Sequence, residues 1–331
     1  MIGMLRFVLA SLVVANHVYL PTANQVGAHA VAGFYIISGF LMTKVLNEVY
    51  GYSPRGLGRF LVNRFLRIYP LYWIFLATSL VLLSFFPMTF GQTYSNMKMP
   101  QTAYDMVRNV TLWDLPRAPE IVIPPAWTLT VEVFFYLAMA LVLSRHRFIV
   151  MAWVIVSLAI AVWLIASHAP YSQRYTPTYA ASLFFSTGAL LYFYPRIREA
   201  LMIDRRWALA GLVVFCVAPL LARRAGFPPL GVGYYGPAIL FLFIFVTLQR
   251  VRSGPWDRWL GDLAYPVFIT HLLAAGIVRI LFPIAVTPLS GVFLLSSYAL
   301  SLLISAGAVR LQSRWLDPLR TEIRAGSPAA P

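Results

Sequence analysis

Ten apolar runs of about 20 residues follow one another along this 331-residue chain, with few charges inside them. They fall near 4–21, 29–47, 66–86, 126–144, 148–166, 178–195, 207–222, 233–248, 262–282 and 290–309. At 1.5 Å of helical rise per residue, each is long enough to cross the hydrocarbon core of a bilayer. Lipid offers no partner for a backbone N–H or C=O, so a spanning segment must be a helix or a strand of a closed barrel. Continuous apolarity excludes the barrel, whose strands of roughly ten residues alternate between two faces. The expected fold is therefore all-α: a polytopic membrane protein, a bundle of about ten transmembrane helices forming one domain over 1–331.

Charge sets the orientation. Only 11% of residues are charged, yet the net charge is +15. With the N-terminus inside, 18 of the 26 Lys and Arg residues fall on the inner side. Lys98, Arg108, Arg117, Arg174, Arg223 and Arg224 fall on outer connections, and Arg6 and Arg279 lie at span edges. Inner connections of membrane proteins are rich in Lys and Arg, so both termini are expected in the cytoplasm, with a short tail at 310–331. The same asymmetry accounts for the +15 through topology and anionic lipid, with no nucleic-acid partner. The first run is read as a retained span rather than a cleaved signal. Residues 87–125 form the longest outer loop, and loops of that length commonly cover a site or bind something. One cysteine, Cys216, sits mid-span, so no disulfide frame and no metal site is expected.

The ionisable groups inside the spans carry the chemistry. RFVLASLVVANHVYL holds Arg6 and His17 eleven residues apart, which at 100° per residue puts them on one helical face and about 16 Å apart along the axis. An elongated ligand with an anionic end reaches both; headgroup snorkelling is the alternative reading of Arg6. NRFLRIYPLYWI stacks Arg64 and Arg67 one turn apart, a bidentate grip for phosphate that doubles as a topology signal. Histidine ionises near working pH, so of the groups inside the spans His17 is the candidate base. Glu132, a few residues into a span entered from the outer side, is the acid expected to orient it. Tyr72 is a candidate for contact with a nucleotide-like ligand and Trp127 for stacking on an adenine or a sugar ring, although with Tyr69 and Trp73 an aromatic belt at the interface is the default reading. His271 either joins the site or bonds a neighbouring helix. His29, His168, Asp105, Asp114 and Glu120 are expected in solvent on the outer side, and the small Gly33, Gly39 and Gly188 are expected at helix contacts.

RFVLASLVVANH, FYIISGFLMTKVL, RFLRIYPLYW, PPAWTLTVEVFFYL and LGDLAYPVFITHLL, in that order, resemble the acyltransferase 3 family of bacterial integral-membrane O-acyltransferases. The resemblance covers essentially the whole chain. It implies acyl-coenzyme A dependence, most often acetyl-CoA, and a hydroxyl acceptor on an envelope carbohydrate such as an exopolysaccharide or O-antigen repeat. A macrolide or another small molecule is the minority acceptor. The family pattern falls on Arg6 and His17, on Arg64 and Arg67, and on Glu132, but places Val133 where relatives have a second polar residue. It also implies the bacterial inner membrane. A proton-coupled carrier of an organic anion or a lipid-linked sugar is the competing reading of the same buried charges.

Overall fold

The computed structural model describes residues 1–18, 25–224, 235–282 and 290–326. The connections 19–24, 225–234 and 283–289 and the last five residues of the expected tail lie outside the described residues. The helices are α1 (Ile2–Val18), α2 (Gln25–Val45), α3 (Pro54–Phe85), α4 (Pro87–Phe90), α5 (Ala103–Thr111), α6 (Trp127–Ala138), α7 (Arg147–Ala166) and α8 (Tyr171–Tyr175). There follow α9 (Thr178–Phe193), α10 (Pro195–Ala200), α11 (Arg205–Arg224), α12 (Tyr235–Leu248), α13 (Pro255–Leu281), α14 (Gly291–Trp315) and α15 (Asp317–Ala325). Single π turns prolong α2 over Leu46–Tyr50 and α6 over Met139–Leu143. No strand occurs among the described residues.

Over their described residues the apolar runs are helical, and among the described residues six helices are long and apolar enough to cross a membrane. The chain is a multi-pass membrane protein. Two of the remaining apolar helices, α1 and α12, are shorter than 18 residues, and basic residues at both ends of α11 dilute its apolarity. Burial separates core from periphery. The membrane-length windows of α2 and α13 are 89% and 78% buried, whereas those of α7 and α14 are 28% buried. Ile155, Val162 and Trp163 on α7 and Leu295 and Leu303 on α14 are accordingly exposed, an apolar surface suited to lipid.

Two close crossings hold the core. Gly39 on α2 meets Gly188 on α9: a Cβ on either would lie 2.1 or 2.2 Å from the opposing Phe185 or Ile36 carbonyl oxygen. Gly3 on α1 likewise presses against α13 near Asp257 and Gly261. Without the side chains in the way, backbones approach closely and dispersion contacts replace lipid. The result seats α1 between α2 and α13, with Leu5, Leu9, Val13 and Val14 fully buried.

Helix ends follow local chemistry. Ser53 caps α3 by accepting from the Gly56 N–H, with Pro54 in the first turn. Ser290 caps α14, and Thr102 caps α5. The Asp257 carboxylate accepts from the Met4 N–H, one of the orphan donors of α1. Two outer-side expectations are corrected. His29 is 2% exposed, because α2 begins at Gln25 and carries it into the bundle. Asp105 and Asp114 are ion-paired with Arg108, at 3.3 and 2.7 Å, rather than free in solvent.

Candidate functional site

The last turn of α1 brings His17 to the middle of α13, where its Nδ1 lies 2.8 Å from Nε2 of His271. The ring planes are 12° apart with centroids at 5.1 Å, so the imidazoles meet edge to edge through nitrogen. His271 is fully buried, and its Nδ1 is 3.3 Å from the Val267 carbonyl oxygen one helical turn back. That oxygen only accepts, so for neutral rings the tautomers are determined in sequence. His271 donates from Nδ1 and accepts at Nε2, and His17 donates from Nδ1. The Nε2 of His17 is left with a free lone pair.

His17 lines a cavity of about 200 Å³ together with Asn16, Tyr94, Trp127, Thr128, Tyr175 and Phe268. Tyr94 stands edge-on to the imidazole with centroids at 5.1 Å, and Trp127 stands edge-on to Tyr175 at 5.0 Å. Aromatic walls with interspersed polar groups suit a ring bearing hydroxyls. Tyr94 was not among the expected site residues. It comes from the 87–125 segment, which turns back over the bundle. Phe90 packs where a Cβ on Gly276 would sit 2.3 Å from its ring, and Arg279 donates to the Gln92 carbonyl at 2.7 Å. Burial raises the Tyr94 hydroxyl above its ordinary pKa, so it stays protonated as a donor.

A second, smaller cavity is lined by Arg6, Tyr35, Glu132 and Tyr265, and it shares Val31, Thr128 and Phe268 with the first. The Glu132 carboxylate accepts from the Ser38 hydroxyl at 2.7 Å, and Arg6 lies within electrostatic reach of Glu132 and Arg67. The sequence paired Glu132 with His17; the fold gives His17 to His271 and turns Glu132 toward Arg6. Sequence spacing carried no signal for the imidazole pair, which joins helices 254 residues apart.

At the basic end, Arg64 donates to the Asn63 side-chain oxygen at 2.9 Å, and Arg67 is 3.6 Å from Asp262. With its amide turned so that the oxygen faces the two guanidiniums, Gln312 accepts from Arg67 at 2.6 Å and from Arg320 at 3.1 Å. Tyr72 stands apart from these groups. Fully buried, its hydroxyl donates to the Asn109 carbonyl, while Tyr69 and Trp73 donate to Thr111 and Val110 at 2.9 Å each. This aromatic row satisfies the orphan carbonyls at the end of α5.

A family model described as an acyltransferase domain matches residues 2–309. No curated protein and no solved structure matches the chain.

Proposed function

The chain belongs to the acyltransferase 3 family, and from that premise we propose that it moves an acyl group, acetyl above all, from cytoplasmic acyl-coenzyme A to a hydroxyl. The acceptor is an envelope carbohydrate, an exopolysaccharide or O-antigen repeat unit. The protein works in a bacterial inner membrane as one domain with both termini in the cytoplasm, the arrangement that its Lys and Arg distribution favours.

The observation that carries this reading is the proton order along Val267 C=O, His271 and His17, which leaves a basic nitrogen at the cavity wall. His17 Nε2 takes the acceptor proton as the hydroxyl oxygen attacks the thioester carbonyl. The tetrahedral intermediate collapses, the C–S bond breaks, and the coenzyme A thiolate leaves and recovers the proton from the imidazolium. His271 spreads the positive charge formed on His17 and holds its ring in plane. Tyr94 is a hydroxyl donor beside the reacting centre, and Trp127 with Tyr175 walls the acceptor ring.

Arg6, Arg64 and Arg67 attract the phosphates of the donor. Glu132 balances Arg6 and keeps it extended along the donor path. The shared Val31, Thr128 and Phe268 divide the donor side from the acceptor side.

The decisive experiment gives purified protein acetyl-coenzyme A and extracted lipid-linked glycan, then follows thiol release and acetylated product by mass spectrometry. Product that depends on His17 supports the reading. Donor binding without thiol release or product, combined with substrate uptake in proteoliposomes, would favour the carrier reading instead.

A further inference from the structure

Where α3 meets α15, a cavity of about 160 Å³ is lined by Tyr50, Asn63, Arg64, Asp317, Arg320 and Arg324. Three guanidiniums there face one carboxylate, and that carboxylate is already engaged by Arg320. Asn63 ties the two helices together: its amide nitrogen donates to the Arg320 carbonyl at 2.9 Å, and its oxygen accepts from Arg64 at 2.9 Å. The Nε atoms of Arg64 and Arg320 are both buried and hydrogen-bond to no protein atom. An unmet charged donor in a buried position is costly, and an anion bound in the cavity would supply the acceptor.

Burial first, and then the like charges of Arg67 and Arg64, push Arg320 down to about 10. Crowding of that kind is relieved by an added negative charge. The family match ends at residue 309, whereas α15 starts at Asp317, so this wall of the cavity lies beyond the part that the family model covers.

We propose that α15 closes a phosphate-binding site at the basic end of the bundle, in which Arg320 and Arg324 act with Arg64 on the nucleotide end of the acyl donor. The phosphate chemistry rests on these residues; its assignment to the donor rests on the proposed function. Planar guanidiniums match phosphate oxygens bidentately, and three from two helices make a cradle that only the packed bundle creates.

The test uses the full chain in detergent, titrated with coenzyme A, with adenosine 3′,5′-bisphosphate, and with phosphate-free pantetheine. Arg320→Gln/Arg324→Gln is compared with wild type and with Arg310→Gln, an exposed arginine on α14. The double variant should bind both nucleotides at least about tenfold more weakly, the loss of one charge-assisted bond or more. Its preference for acetyl-coenzyme A over S-acetylpantetheine should fall in parallel, while Arg310→Gln binds nucleotide as wild type does. Arg324→Gln alone guards against misfolding: its side chain is exposed, and weaker nucleotide binding at an unchanged thermal midpoint supports the site.

Equal nucleotide affinity in wild type and double variant overturns the proposal. Weaker retention on phosphatidylglycerol vesicles with unaltered coenzyme A binding assigns the phosphate to a lipid headgroup and overturns the donor assignment. Arginine-dependent bisphosphate binding without acyl transfer from any donor sinks the enzymatic reading and leaves the site standing.

Discussion

His17 Nδ1 and His271 Nε2 are 2.8 Å apart across the α1–α13 interface, and the second nitrogen of His271 is anchored on the Val267 carbonyl. Two neutral rings satisfy that bond in one proton arrangement only, given a carbonyl at one end. In the proposed reaction this arrangement assigns His17 as the base and His271 as its positioning partner.

Removal of the base is the most direct consequence. His17→Ala should lower the turnover number by about 10²–10⁴-fold, the usual worth of a positioned general base. Coenzyme A affinity should stay within about twofold, because the proposed reading gives the donor phosphates to Arg6, Arg64 and Arg67. Titration of the donor alongside single-turnover acetylation reads both quantities.

His271 acts through His17, so its variants should separate position from chemistry. His271→Phe fills the space without an acceptor and should reduce kcat by about 10–100-fold at little change in KM. His271→Gln offers a side-chain oxygen to the His17 Nδ1–H and should recover part of that loss. Equal damage from both variants would argue for packing alone.

Arg6 and Glu132 line one cavity with opposite charge. Arg6→Gln and Glu132→Gln should each impair acetylation, and the double variant should fall well short of the product of the two losses. Neighbours that share a partner are coupled, and a double-mutant cycle on kcat/KM measures it.

For Arg64→Gln and Arg67→Gln, the expected signature is a donor KM raised about tenfold per guanidinium with a smaller drop in kcat. Arg67 also pairs with Asp262, so its variant should lose more thermal stability than Arg64→Gln.

Gly39→Val tests the core crossing. The new Cβ would meet the Phe185 carbonyl oxygen at 2.1 Å, a backbone atom that cannot swing aside. A loss of about 3 kcal/mol is expected from overpacking, visible as a lower midpoint in thermal unfolding in detergent.

Helix type was legible in the chain itself, because lipid enforces a rule that acts on each segment alone: twenty apolar residues bury their own backbone only as a helix. The ten runs, the small residues Gly39 and Gly188 at the α2–α9 crossing, and the presence of Arg6, His17 and Glu132 within the spans all follow from such local constraints. The partners of those groups do not. His17 and His271 are 254 residues apart, and which imidazole, carboxylate or guanidinium lies opposite depends on how α1 settles between α2 and α13. That seating also turned Glu132 toward Arg6, brought Tyr94 over the cavity that His17 lines, and used Tyr72 to hold α5. Composition along one helix sets what a segment must be, whereas contact between helices is a property of the packed bundle, and the chemistry of this site lives in those contacts.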